Sequence, residues 1–449
     1  MSQPPKPLSY AWLVVGLLWV VACLNYLDRL MLTSMRESLK ADIMMTDAQF
    51  GLLTSVFLWV YGALSPLGGF IADRFSRKWV IIGSLGVWSA VTWLTGHVKS
   101  FESLLAARAL MGVSEAFYIP AGLALIADLH RGGTRSRATG LHMSGVYAGA
   151  ALGGLGGLIA EHYGWRQGFN WFGLAGVLYA VALVFLLREG RLFPIPRRGG
   201  EGQGEGDRMD RHAPTAPDCP LTPALSPSEG ERENHVSHSG FSKATVPEAL
   251  RALFGQPSFL ALLAYFSLFA LANWGINGWL PTYLKEQFKL GEGQAGLSAT
   301  GYIQVASFVG VLIGGAWSDW WVRRNPRGRL YVPMIGFCVG GPFLFLMAST
   351  DTLAVAMAGM VVYGLGRGFS DTSTMPILCQ VVGAKYRATG YGFLNLFSTF
   401  VGGAMIYAGG ALRDAHVDLS KIFQVSAVGL VIAGLTLLAL KPSRELEKT

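Results

Sequence analysis

Charge is what this 449-residue chain has least of: Asp, Glu, Lys and Arg make up 14% of it, against 51% hydrophobic residues. Soluble domains carry about 25% charged residues, so a water-soluble globule is excluded. Cysteine is also scarce. The four present (Cys23, Cys219, Cys338, Cys379) show no pair spacing and no clustering with histidine, which excludes a disulfide scaffold and a structural zinc site. The eight histidines show no ligand spacing, and no GxxxxGKS/T run is present for cradling nucleotide phosphates. No hydrolytic or redox constellation stands out. The chain is expected to be no enzyme and to need neither cofactor nor metal.

What is abundant is apolar sequence of membrane-spanning length. About 20 consecutive apolar residues cross a hydrocarbon core, and twelve such spans are expected, near residues 11–33, 47–72, 79–97, 102–126, 138–160, 167–187, 257–281, 295–318, 331–348, 353–378, 388–410 and 422–440. The fold class is therefore an all-α polytopic membrane protein. Residues 1–10 are polar and proline-rich, and the apolar run from Ala11 is long enough to remain as a span, so no cleavable signal peptide is expected. Basic residues cluster on alternate connections: Arg74, Arg77 and Lys78; Arg131, Arg135 and Arg137; Arg323, Arg324, Arg327 and Arg329; Lys385 and Arg387. By the positive-inside rule both termini are cytoplasmic, in an inner (plasma) membrane. The net charge of +8 is then a topology signal, and no nucleic-acid partner is expected.

Residues 191–250, with GGEGQGEGDR and PLTPALSPSEGERE, are too polar and too rich in Gly, Pro, Ser and Glu to build a core, and are expected to be a disordered cytoplasmic linker. The linker separates two six-span units, 1–190 and 251–449, which share internal similarity. Gly69-Phe-Ile-Ala-Asp73-Arg74-Phe-Ser-Arg77-Lys78 follows span two, and Gly315-Ala-Trp-Ser-Asp319 with Arg323 and Arg324 follows span eight. Arg137-Ala-Thr-Gly140 opens span five, and the identical Arg387-Ala-Thr-Gly390 opens span eleven. Two matches in the same order point to a duplicated unit, an arrangement in which substrate sits near the midplane between repeats.

These loops resemble those of the major facilitator superfamily, with Ser76 in place of the usual glycine. The resemblance covers the chain from Ala11 to Leu440 outside the linker and implies two six-helix bundles around a central cavity; a monomer driven by an ion gradient is expected. Within that superfamily, Asn25-Tyr26-Leu27-Asp28-Arg29 is similar both to the anion:cation symporters of sugar acids and to the Spinster-like transporters of lysolipids and sphingolipids. Arg108 followed by Glu115 fits both. Trp279-Leu280-Pro281-Thr282-Tyr283-Leu284 leans to the first branch; Gly51-Leu52-Leu53 and Trp88-Ser89-Ala90-Val91-Thr92 lean to the second.

An ionisable group at the bilayer centre costs roughly 2.5–3.5 kcal/mol on insertion scales, so Asp28, Arg29, Arg108 and Glu115 are read as functional. Asp28 and Arg29 are neighbours and point about 100° apart, whereas Arg108 and Glu115, two turns apart, share a helix face. A crossed arrangement, Asp28 with Arg108 or Glu115 with Arg29, compensates each charge. An anion that occupies an arginine releases that arginine's hold on a carboxylate, which then takes up a proton; substrate and proton binding become linked. The resemblance implies that Asp28 and Glu115 couple protons, while Arg29 and Arg108 handle substrate or switch salt bridges; Tyr26 joins the substrate-binding candidates. A permanent ion-pair network that orients helices is the alternative.

Span ten adds Arg367 and Asp371, four apart, as a cavity pair or a local one. Asn273, Asn277 and Gln304 are candidates for bonding substrate, or for interhelical hydrogen bonds. Trp279 and Tyr283 are either cavity or interfacial residues. The glycines of span five (Gly145, Gly149, Gly153, Gly154, Gly156, Gly157) suit close helix packing. The resemblance makes Asp73, Arg74, Arg77 and Lys78, with Asp319 and Arg323, a gating loop that pins the bundles in one state. The expected activity is proton-coupled symport of a small organic anion such as a sugar acid. The alternatives are a Spinster-like lysolipid transporter and a transport-dead sensor.

Overall fold

The computed structural model describes residues 8–130, 134–188, 246–325, 327–383 and 386–440, and among these there is helix but no strand. The first half holds α1 (Leu8–Ser34), α2 (Arg36–Asp42), α3 (Asp47–Arg74), α4 (Arg77–Thr95), α5 (Phe101–Glu115), α6 (Tyr118–Leu129), α7 (Arg135–Leu152), α8 (Leu155–Tyr163) and α9 (Trp165–Leu186). The second half holds α10 (Val246–Phe254), α11 (Pro257–Phe288), α12 (Glu292–Val322), α13 (Gly328–Met347), α14 (Leu353–Val381), α15 (Arg387–Asp414) and α16 (Leu419–Thr436).

Eleven helical stretches among the described residues are long and apolar enough to cross a membrane. Two of them are composite. The expected fourth span breaks between α5 and α6, and the fifth breaks at Gly153–Gly154 between α7 and α8. The expected third span is α4, which is not among the eleven; Ser84, Ser89, Thr92 and Thr95, all buried, dilute its apolar character. Most of the expected linker lies outside the described residues, but α10 begins at Val246, inside the expected linker boundary.

The helices turn apolar faces outward, which suits a hydrocarbon solvent. On α9, Leu174, Leu178, Val181 and Phe185 follow helical spacing and are all exposed, while Gly173, Gly176, Ala180 and Leu183 on the opposite face are buried. Small residues let the backbones meet. A Cβ on Gly149 would lie 2.0 Å from the carbonyl oxygen of Cys23, so α7 packs on α1 only with glycine there. A Cβ on Gly154 would lie 2.6 Å from the carbonyl oxygen of Gly296, across the two halves. Gly164, at φ 85°, makes the left-handed turn from α8 into α9 that a residue with a side chain resists.

Side-chain bonds sort the connections into two ends. Arg188 donates its backbone N–H to Tyr10, Lys78 reaches the carbonyl of Val184, and Tyr386 donates to Glu248, which gathers the described ends of the two halves at what is called here the terminal end. Trp165 donates to Asp42, Arg166 to the carbonyl of Val98, and Gln287 to Asp351, which gathers the opposite connections at the distal end.

Candidate functional site

α1, α3 and α5 bring the first charge cluster together in the middle of the first half. Arg29 Nε donates to Glu115 Oε2 at 2.7 Å, and Asn25, one turn before Arg29, donates to the same oxygen at 2.8 Å. Arg29 is 4% exposed and Glu115 is fully buried, so the pair is an ion pair in low dielectric rather than a surface contact. Three aromatic rings surround the guanidinium: its carbon lies 4.7 Å from the Tyr26 centroid, 5.0 Å from Phe57 and 4.5 Å from Tyr61. Those π faces offset part of the cost of burying the cation.

Only one half of the crossed arrangement forms. Asp28, buried on the neighbouring face of α1, accepts a hydrogen bond from Thr92 of α4 at 3.2 Å. It makes no ion pair with Arg108. That residue lies along α5, donating to the Met111 sulfur at 3.0 Å and to the carbonyl of Leu53 at 3.4 Å, with its guanidinium carbon 4.9 Å from the Phe57 ring centroid. Adjacency on α1 is the reason: turning Arg29 toward Glu115 points Asp28 away, toward α4.

A central cavity of about 440 Å³ lies between the halves. Tyr26 and Arg29 line it from the first half, and Asn273, Asn277, Gln304, Arg367 and Asp371 from the second. Arg367 donates to Gln304 at 3.3 Å and lies 3.6 Å from Asp371, which also accepts from Tyr147 of α7 at 3.0 Å. Asn277 donates to the carbonyl of Asn273 one turn back. Arg108 is not part of this lining. Met143, Val146, Phe266, Phe269 and Leu394 give the wall an apolar part, beside further polar groups on Thr372, Thr374, Tyr391, Asn395 and Ser398. Trp279 and Tyr283 do not line the central cavity: both are buried, donating to the carbonyls of Ile406 and Met347, and Tyr283 lines a separate cavity with Glu286 and Arg413.

The cavity continues toward the terminal end. It shares Gly140 and Thr372 with a second cavity of about 630 Å³ that is lined by Asp319 and Arg329. Arg77 pairs with Asp128 and donates to the carbonyl of Ala124, and Asp319, in that second lining, lies 4.0 Å from Arg329, each contact staying inside one half. Arg323 is exposed. Asp73 and Arg74 end α3, and their side chains lie outside the described residues.

The distal end is shut by charges from both halves. Asp47 receives Arg413 at 2.9 Å and pairs with Arg36, while Arg413 also grips Glu286 through two bonds of 2.7 and 2.8 Å. Carboxylates of one half also cap helices of the other. Asp414 accepts the backbone N–H groups of Asp47 and Ala48 at 2.9 and 2.8 Å; Glu292 accepts those of Glu37 and Ser38 at 3.0 and 3.2 Å; Glu161 accepts that of Gly293 at 2.9 Å. Each of these meets the partial positive charge of a helix start.

Sequence reasoning missed Asn25, Phe57, Tyr61, Tyr147 and the whole distal network. Asn25 carries a legible signal, an amide one turn before a buried arginine. The others depend on contacts between distant segments.

The Major Facilitator Superfamily profile matches residues 18–407. Among curated proteins, Protein spinster of Drosophila melanogaster is 26% identical over 418 residues, covering 90% of this chain and 62% of that protein. Protein spinster homolog 1 of Homo sapiens is 26% identical over 411 residues, covering 87% and 71%. The probable galactarate/D-glucarate transporter GudP of Bacillus subtilis is 24% identical over 433 residues, covering 92% and 89%. The chain thus spans less than two thirds of the length of the fly protein. Among solved structures, a bacterial homolog of the human lysosomal transporter Spinster, inward-facing and unoccupied, superposes with a TM-score of 0.73 at 21% identity, covering 99% of this chain and all of that one. At that identity the likeness speaks for the fold.

Proposed function

The chain belongs to the Major Facilitator Superfamily, and on that premise we propose that it is a secondary transporter whose cargo is an anionic amphiphile of the lysophospholipid class, moved with protons. The carrying observation is the mixed lining of one cavity: Arg29, Arg367, Asn273 and Gln304 for an anionic, hydrogen-bonding head, and Met143, Val146, Phe266, Phe269 and Leu394 for an acyl chain. The spinster proteins among its relatives support the same reading. Arginine suits the head because its fork bonds phosphate oxygens in pairs and keeps its charge.

In this reading α4 is the twelfth span. Its 19 residues extend about 28 Å, close to the thickness of a hydrocarbon core. Arg77, Lys78, Arg137, Arg323 and Arg324 belong to the terminal end, which is then cytoplasmic. In the same reading, a shut distal end and a cavity reaching the terminal end correspond to the inward-facing state of an alternating-access cycle. Glu115 carries the proton: an anion drawn to Arg29 loosens the Arg29–Glu115 pair, and the freed carboxylate is protonated rather than left charged in low dielectric. Asp28, with Thr92 as its hydrogen-bond partner, is the second proton-coupling acid.

The similarity to GudP favours a second reading, a sugar acid held by the amides and arginines of the same cavity. Proteoliposome transport separates the two. Lysophosphatidylglycerol and D-glucarate are offered under an inward-directed pH gradient; uptake of the first alone is expected. Uptake of glucarate alone selects the second reading, and accumulation of neither removes both. Glu115→Gln is expected to abolish gradient-driven uptake while leaving exchange of substrate for substrate. Undiminished gradient-driven uptake by that variant removes Glu115 from the coupling role.

A further inference from the structure

The turn between α12 and α13 carries a positive charge that no described residue answers. Residues 319–331 hold four arginines (Arg323, Arg324, Arg327, Arg329) and one acid, Asp319, which lies 4.0 Å from Arg329. Arg323, Arg324 and Arg327 are exposed and make no ion pair among the described residues. In the first-half copy of this loop, by contrast, Arg77 pairs with Asp128 and Lys78 donates to the carbonyl of Val184. The turn is also fixed. The N–H groups of Arg324 and Asn325 reach the Trp321 carbonyl at 3.0 and 2.9 Å, Asn325 Oδ1 accepts the Arg327 N–H at 2.9 Å, and a Cβ on Gly328 would lie 2.8 Å from the Val322 nitrogen. Trp317 and Trp321 stack with ring centroids 5.7 Å apart, and Trp321 meets Tyr331 of α13 at 5.4 Å. Trp320 points outward instead: it is 50% exposed, and the Arg324 guanidinium carbon stands 4.3 Å from its ring centroid. It ends an outward stripe on α12. Val305, Val309, Leu312 and Ala316 precede it at steps of three or four residues, all exposed, and Arg323 continues the same face. Gln304 and Val311, which line the central cavity, lie on the other side of the helix. From Leu312 to Trp320 the rise is about 12 Å, most of the hydrocarbon depth of one leaflet.

We propose that this face binds one anionic diacyl phospholipid from the leaflet at the terminal end, with its phosphate among the guanidinium groups of Arg323, Arg324 and Arg327 and an acyl chain along Leu312, Ala316 and Trp320. Apolar contact by itself would suit any lipid; the three uncompensated cations select a head of net negative charge over a zwitterionic one. Arginine bonds phosphate oxygens in pairs through the edge of its fork. Stacking on Trp320 occupies only the face of the Arg324 guanidinium and leaves that edge free. The order along α12 fits as well: a tryptophan at the membrane–water boundary with arginines just beyond it meets a lipid's ester region and then its phosphate. Because the turn is already fixed, binding orders little that is not ordered beforehand. The site shares no residue with the lining of the central cavity, so it holds whatever that cavity carries.

The test is thermal unfolding of the purified full-length protein in an uncharged detergent, titrated with dioleoylphosphatidylglycerol against dioleoylphosphatidylcholine, since a ligand of the folded state raises Tm by mass action. A saturable gain of about 1–3 °C with phosphatidylglycerol only is expected, smaller at high salt because the cations are exposed. Arg324→Gln and Arg327→Gln are each expected to shift the midpoint of the titration about fivefold to higher lipid, and the two combined with Arg323→Gln to abolish the gain. Trp320→Leu, which keeps an apolar side chain but removes the ring beside Arg324, shifts the midpoint in the same direction. Arg251→Gln, at an exposed arginine of α10, and Arg367→Gln, in the central cavity, keep the full gain. Native mass spectrometry supplies the count for variants whose own melting point has moved: one phosphatidylglycerol retained by the unmodified chain and none by the triple variant. Equal melting in the two lipids, an equal gain in the triple variant, the same gain from glycerol 3-phosphate without lipid, or a gain lost in Arg367→Gln overturns the proposal.

Discussion

Replacing Asp414 with alanine isolates the distal closure, because the two backbone groups it caps belong to the other half of the molecule. Its carboxylate accepts from Asp47 and Ala48 at 2.9 and 2.8 Å. Losing a helix cap costs typically about 1 kcal/mol, and the exposure of Asp414 places the charge component at the low end of the usual range and makes it sensitive to salt. Both capped groups separate from Asp414 when the distal end opens, so the loss falls on the closed state alone. A bias of about 1 kcal/mol changes the closed-to-open ratio about fivefold. Spin labels at Met44, on the α2–α3 connection, and Lys421, in the first turn of α16, both exposed, report that ratio as the relative weight of the short and long distances in a pulsed dipolar measurement. Asp418→Ala is the control: Asp418 precedes α16 and makes no side-chain cap bond. An unchanged distance distribution in Asp414→Ala, or the same shift in Asp418→Ala, would refute the idea that backbone capping holds this end shut.

Three further outcomes follow from the packing. Gly149→Leu forces a side chain into the Cys23 carbonyl and is expected to cost more than the ~1–3 kcal/mol of ordinary overpacking, seen as loss of the monodisperse folded species in detergent. Tyr147→Phe removes the 3.0 Å bond to Asp371 while keeping the ring beside Phe308, and is expected to weaken substrate binding up to about tenfold, read by isothermal titration, with melting little changed. Trp279→Phe deletes the 3.0 Å bond to the Ile406 carbonyl between α11 and α15 and should lower stability by about 1–2 kcal/mol, measured as a fall in Tm without loss of the helical circular dichroism signal.

The spans were legible because a hydrocarbon solvent demands long apolar runs, and the third stayed legible as α4 although Arg77 and Lys78 at its start and its buried serines and threonines lower its apolar character. The Arg29–Glu115 pair was legible for a related reason: an opposite charge nearby is the cheapest way to bury either one. The partner of Arg108 was not, because the crossed arrangement treats a helix as a face, whereas Asp28 is steered by its neighbour Arg29 toward Thr92. The breaks at Ala116 and Gly153 escaped because an apolar run continues through both. The distal network escaped for a different reason. Asp47, Arg413 and Asp414 sit at span ends, where charges are ordinary, and a separation of 366 residues leaves no local pattern to read.

The caps at the distal end also make the closure unequal in how it tolerates sequence change. When Asp414 holds Ala48 and Glu292 holds Glu37, the donating group in each pair is the peptide N–H. Every residue but proline supplies that group, so position 48 can drift through most of the amino-acid alphabet without loosening its cap. Only the carboxylate side has a chemical identity to lose. A saturation library scored for distal closure would show a flat profile at 48, broken by proline, opposite a sharp one at 414. The heritable information for this contact is stored in one of its two partners.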